Sequence, residues 1–270
     1  MQQKSKLVTF GGATVVIALV MMTLTALAGL VDDRIFNGVS VWSKPTKFHL
    51  SFAVHVLTLM VFLSFLRADL QNRAAIRWTM GVTCTAVLLE LFYVTFQAAR
   101  GRASHFNLET PWEEAAYYAM GAGVAVVMIG TLVIGVAVWR GSRQGIGPGL
   151  RTGVVLGTVA GTLATLLTAG AMSSMQLTPT GHWVGGTLTD ASGLPIVGWS
   201  TTGGDLRVSH FFATHLIQAL PVVGWLADRV AISYARAPVW MVAIAGLAIV
   251  WVTFDQALAG APFLGSRPIP

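Results

Sequence analysis

The stretch WSTTGGDLRVSHFFATHLIQALP, residues Trp199 to Pro221, passes without a break from a polar glycine turn into an apolar run long enough to become a helix. It carries Asp205, Arg207, His210, His215 and Gln218 across that boundary. Polar and ionisable side chains are expensive inside a bilayer, so a segment that takes five of them toward one marks the place to look for chemistry.

The rest of the chain supplies the bilayer reading. Of 270 residues, 54% are hydrophobic and only 10% charged, against about a quarter charged in ordinary soluble domains. Seven apolar runs have the length of about 20 residues that a bilayer core requires. They lie at residues 7–31, 46–66, 77–99, 115–139, 150–172, 208–227 and 238–260. The expected fold is therefore all-α, a single polytopic membrane domain over residues 1–270 with a bundle of seven transmembrane helices. The first run exceeds the ~7–15 apolar residues of a signal peptide, so it reads as a retained helix despite Ala26-Leu27-Ala28.

A net charge of +6 would suggest nucleic acid in a soluble protein. Here the cations sit in short loops, where they set orientation instead, and no nucleic-acid partner is expected. Lys4, Lys6, Arg67, Arg73, Arg77, Arg140, Arg143, Arg151, Arg229 and Arg236 outnumber the cations on the other side, which places the N-terminus inside and the C-terminus outside. The lone Cys84 lies in an apolar run and excludes an intramolecular disulfide.

Glu90 is the strongest single signal, a carboxylate in the middle of the third run. Such a group is normally paired, protonated or turned inward. Thr83, Glu90 and Gln97 recur at seven-residue intervals on one face, with Tyr93 beside them. On the second run, Lys47, Ser51, His55 and Thr58 form a matching stripe. A lone histidine in a span also serves simply to hydrogen-bond a neighbouring helix.

At 1.5 Å per residue, His55, Glu90 and His215 all reach ~11–13 Å below the outer ends of their helices. One depth for two histidines and a carboxylate would suit zinc or iron with open coordination positions, and His55 with His215 would suit haem. In that reading His55, Glu90 and His215 hold the metal, His210 or Asp255 moves a proton, and Arg207 or Lys47 holds an anionic group. Gln218 would support His215. The same residues would serve equally as a proton pathway through a transporter. Around them Lys47, Gln97, Arg100, His105, Asn107 and Asp205 form a polar mouth. Glu113 and Glu114 follow Thr110-Pro111 and read as helix-start charges.

Glycines at 121, 123, 130 and 135, and at 153, 157 and 161, fit close helix packing. Residues 173–207 read as an external loop or lid, and no internal repeat is evident.

The strings Lys44-Pro45-Thr46-Lys47-Phe48, Gln97-Ala98-Ala99-Arg100-Gly101 with Ser104-His105-Phe106-Asn107, and Trp199 to Arg207 with His210-Phe211 resemble a family of bacterial multispanning membrane proteins without an assigned activity. The resemblance implies a multi-pass protein of the bacterial inner membrane and draws attention to His105, Asp205, Arg207 and His210. A second resemblance, on Ser51 and His55, is to the zinc hydrolases of the alkaline ceramidase and adiponectin-receptor type. This chain lacks the histidine pair four apart expected on the last helix of that family. The overall expectation is an outward-facing His/Glu site in a metal- or haem-dependent membrane enzyme or redox protein. Its substrate would be small or lipid-soluble, and membrane lipids would surround it. The alternative is a proton-coupled small-molecule transporter or a non-enzymatic membrane component.

Overall fold

A computed structural model describes residues 2–174, 181–230 and 232–265. Lys4 and Lys6 as side chains, residues 175–180 of the expected external loop, and Arg267 fall outside that description.

The protein is all-α. Its long helices are α1 (Gln2–Val31), α2 (Ser43–Ser64), α4 (Ala74–Ala99), α5 (Pro111–Gly141), α6 (Pro148–Ser173), α7 (Leu206–Val230) and α8 (Arg236–Leu258). The one-turn α3 (Ala68–Gln71) lies between α2 and α4. Among the described residues seven helices are long and apolar enough to cross a membrane, matching the seven apolar runs. Two compact units divide them, residues 1–145 with α1 to α5 and residues 146–270 with α6 to α8.

In the first unit, α1 packs on α2 and α4, and α5 packs on α4 and α2. The connection after α1 is a hairpin of β1 (Ile35–Phe36) and β2 (Val39–Ser40). Asn37 and Gly38 take positive φ at its tip, as a tight two-residue turn requires. Arg34 forks onto Asp32 and donates to the Ala99 carbonyl at the end of α4, which ties the hairpin down. The start of α5 follows the sequence: Pro111 opens the first turn and Thr110 Oγ1 accepts from the Glu113 N–H at 3.4 Å.

The second unit is held by an unusually close α6–α7 seam. A Cβ on Gly149 would stand 2.5 Å from the Gly224 carbonyl oxygen, and one on Gly157 would stand 2.8 Å from that of Leu216. Backbones that close need glycine, and Gly153, Gly157 and Gly161 play the role expected of them. The glycines of α5 divide: Gly130 packs against Thr83, but Gly121 and Gly123 face open space, so the close-packing expectation fails for those two. At the start of α6 the Asp228 carboxylate accepts from the Gly149 and Leu150 N–H groups, both at 2.8 Å. Those donors have no partner within the helix, and an anion there also complements its dipole.

The described part of the long loop is anchored. Strand β3 (Trp183–Val184) pairs antiparallel with β4 (Gly204–Asp205). Trp199 packs its ring edge-on to Phe211 and Phe263.

Short matching segments stand against the expectation of no internal repeat. The segment VVIALVMMTL at 15–24 in α1 matches VVLGTVAGTL at 154–163 in α6. FAVH at 52–55 in α2 matches FATH at 212–215 in α7, and VTFQAARG at 94–101 in α4 matches VTFDQALAG at 252–260 in α8. Backbone and side-chain bonding repeat with the letters. Gly101 and Gly260 both take positive φ, and each donates to the carbonyl three residues back. Gln97 Nε2 donates to the Ala103 carbonyl and Gln256 Nε2 to the Pro262 carbonyl, each six residues on. By these matches α1, α2 and α4 correspond in order to α6, α7 and α8, with α5 outside the correspondence.

Candidate functional site

In the first unit the turn after α4 folds back so that His105 stands over Glu90. The Glu90 side chain is 4% exposed, and His105 Nε2 lies 3.6 Å from its Oε1. Glu90 Oε1 is buried and makes no hydrogen bond. On the other side of the imidazole, Lys44 Nζ and Ser104 Oγ lie 3.0 and 3.1 Å from Nδ1. An ammonium only donates, so Nδ1 accepts from Lys44 and the neutral ring carries its proton on Nε2, facing Glu90. The ring is fixed edge-on to Phe48 and Tyr117. Beside it the Tyr117 hydroxyl is buried without a hydrogen-bond partner.

A second polar layer lies at the same end of α4. Glu113 is fully buried and accepts from Arg102 through both oxygens at 2.6 Å, from Gln97 at 3.1 Å and from Thr110 at 2.7 Å. Arg100 lies between the rings of Phe96 and Trp112, 5.3 and 4.9 Å from their centroids, and donates to Gln97 Oε1 at 2.7 Å. Hydrogen bonding to Glu113 and the nearby carboxylates hold the Arg102 guanidinium far above its usual range. Asn107 is buried and donates to the Ala103 carbonyl.

The expected mouth residues Gln97, Arg100, His105 and Asn107 are thus brought together, and Lys47 is exposed on α2. Three members of the site were not assigned to it from the sequence. Glu113, read as a helix-start charge, is a buried hub, Tyr117 lies one turn further along the same face, and Lys44 lies in one of the strings quoted for the resemblance. The i, i+4 spacing of Glu113 and Tyr117 on a helix next to Glu90 was the available signal.

Each member of the expected metal set has neighbours within its own unit. His55 Nε2 engages Thr131 Oγ1 of α5 at 3.0 Å, while Glu90 faces His105. His215 belongs to the second unit, where its ring lies edge-on to Phe211 at 4.2 Å. Among the described residues no group of three or more His, Cys, Asp or Glu side chains is placed to hold a metal ion. No family model, curated protein or solved structure matches this chain.

In the second unit Asp205 and Arg207 organise the loop. The Asp205 carboxylate is 1% exposed and takes the Arg207 guanidinium at 2.6 Å and the Ser200 N–H at 2.9 Å. Arg207 also donates to Asp190 and to the Gly198 carbonyl. Burial works against the Asp205 charge, but Arg207, the positive field of His182 and the Ser200 N–H together bring its carboxyl below the usual range. A carboxyl lowered in the folded state stabilises the loop at every pH above about 4, the unfolded value, and loses that contribution as the pH falls through the lower folded value. Trp fluorescence melts should hold constant down to about pH 4 and fall below it, and Asp205→Asn should flatten that dependence. His210 donates to or accepts from Thr168 Oγ1 at 3.0 Å, and Gln218 is half-buried on α7. Asp255 lines a separate open cavity at the end of α8.

Proposed function

We propose that this multi-pass membrane protein exchanges a proton at Glu90 through His105 and couples it to the passage of a small or lipid-soluble molecule, as a proton-coupled carrier. The observation that carries this reading is the buried Glu90 carboxylate 3.6 Å from an imidazole whose far nitrogen meets Lys44. Glu90 is 4% exposed and His105 23%, so the pair steps from the interior toward water. Nδ1 first takes a proton from the aqueous side as Lys44 moves off it, and the resulting imidazolium gives its Nε2 proton to the carboxylate, which leaves a neutral ring whose Nδ1–H donates to Ser104 Oγ. Duplicated helix bundles are also a common build among secondary carriers, which supports transport over metal- or haem-dependent catalysis.

In this reading the N-terminus lies inside, the site opens outward, and the membrane is the bacterial inner membrane with its lipids around the helices. Infrared difference spectra of the purified protein, taken over a pH series, test it without a known cargo. One carboxylic-acid carbonyl band should titrate, disappear in Glu90→Gln, and persist with a moved midpoint in His105→Gln. A band that survives Glu90→Gln, stoichiometric zinc or iron, or a Soret absorption would overturn the reading.

A further inference from the structure

The duplication makes one end of α8 directly comparable with the same end of α4. Matching the hydrogen bonds of Gln97 and Gln256 aligns Phe92 with Trp251, Phe96 with Asp255 and Arg100 with Ala259. In the first unit this end is filled by the opening turn of α5. Trp112 lies over Arg100, and Glu113 pairs with the same guanidinium at 3.4 Å. The result is a cation held between aromatic rings and a carboxylate.

At the matching end of α8 there is a cavity of about 550 Å³, lined by Trp251, Asp255, Gln256, Ala259 and Pro262 among others. It has an aromatic ring and a carboxylate, but alanine replaces the arginine. Trp251 and Asp255 are four residues apart, on one face of the helix. Among the described residues Asp255 makes no ion pair, and Gln256 Nε2 is already given to the Pro262 carbonyl. Trp251 is 70% exposed at the end of a span, where tryptophan marks the boundary between hydrocarbon and headgroups.

We propose that this cavity binds an organic ammonium group supplied by a membrane lipid, with phosphatidylethanolamine as the occupant. Its ammonium sits against the exposed Asp255 carboxylate and the Trp251 ring, the two kinds of group that attract an organic cation. Its acyl chains lie along the exposed apolar face of α8 that includes Trp251 and Val252, both exposed. The site is independent of Glu90.

Native mass spectrometry of the full chain in detergent tests this with added phosphatidylethanolamine, phosphatidylglycerol or free ethanolamine. One phosphatidylethanolamine should be retained, with phosphatidylglycerol and ethanolamine at least about tenfold weaker. Asp255→Asn should lower retention about tenfold. Trp251→Leu should lower it several-fold, while Asp33→Asn and Glu90→Gln leave it unchanged. Retention of phosphatidylglycerol at the same level, or an Asp255→Asn variant that retains the lipid as the parent does, would overturn the proposal. Ethanolamine binding as tightly as the lipid would overturn the lipid as source and leave a soluble amine in its place.

Discussion

Gly224→Val should leave the protein without a folded second unit. The Cβ it adds would meet the backbone of Gly149 and the Leu150 nitrogen, the latter at 2.9 Å. These are main-chain atoms of a helix and cannot swing aside, unlike the end of a flexible side chain. Overpacking a tight site costs about 1–3 kcal/mol where side chains can yield. With backbone on both sides the cost should reach or exceed about 3 kcal/mol, because α6 and α7 must separate along the whole seam. Valine's restricted rotamers add a smaller penalty in a helix. Expression in a membrane fraction, followed by thermal aggregation of the solubilised protein, measures the effect. Gly121→Ala is the matched control, since nothing lies within 4 Å of its added methyl. It should be neutral or slightly stabilising, by up to about 1 kcal/mol.

Glu113→Ala should be the most damaging change in the first unit, and Glu114→Ala almost silent. The two are adjacent acids in the first turn of α5, so helix-dipole arguments treat them alike. Their surroundings differ completely. Glu114 is exposed, whereas Glu113 is 0% exposed and serves Arg102, Gln97 and Thr110 at once. Its loss leaves buried donors without an acceptor and removes the hub that holds the turn carrying His105. The expected result is a fall of several degrees in apparent Tm for Glu113→Ala, a smaller one for Glu113→Gln, and no change beyond about a degree for Glu114→Ala. Equal effects at the two positions would show that only the helix-start charge matters.

The contrast shows how far residues along a chain can be read. The seven spans were legible because the cost of unsatisfied backbone in lipid forces long apolar helices. Glu90 was legible because a carboxylate in such a run has few explanations. Its partner was not, since which loop residue comes to stand over Glu90 depends on how the turn after Arg100 folds back. Depth alone grouped His55, Glu90 and His215, but depth says nothing about which way a side chain faces, and His55 faces Thr131. The correspondence between the units is present in the residues but broken in register. One extra residue at Asp255 breaks the register between VTFQA and VTFDQA. The connection from the Trp-Ser pair to the Phe-Ala-x-His motif is also longer in the second copy than in the first.

That duplication also gives the two copies unequal histories at one end. By the shared glutamine register, Glu90 stands where the second copy has Ile249, and Arg102 where it has Ala261. Within the first unit α5 follows α4 and brings Glu113, Thr131 and Tyr117 against polar side chains of α2, α4 and the turn after it. A covered face can accumulate ionisable groups because each new one meets a partner, while an uncovered face is held to apolar residues by the lipid. The extra span can therefore be regarded as a shelter under which the first unit gathered its buried charges.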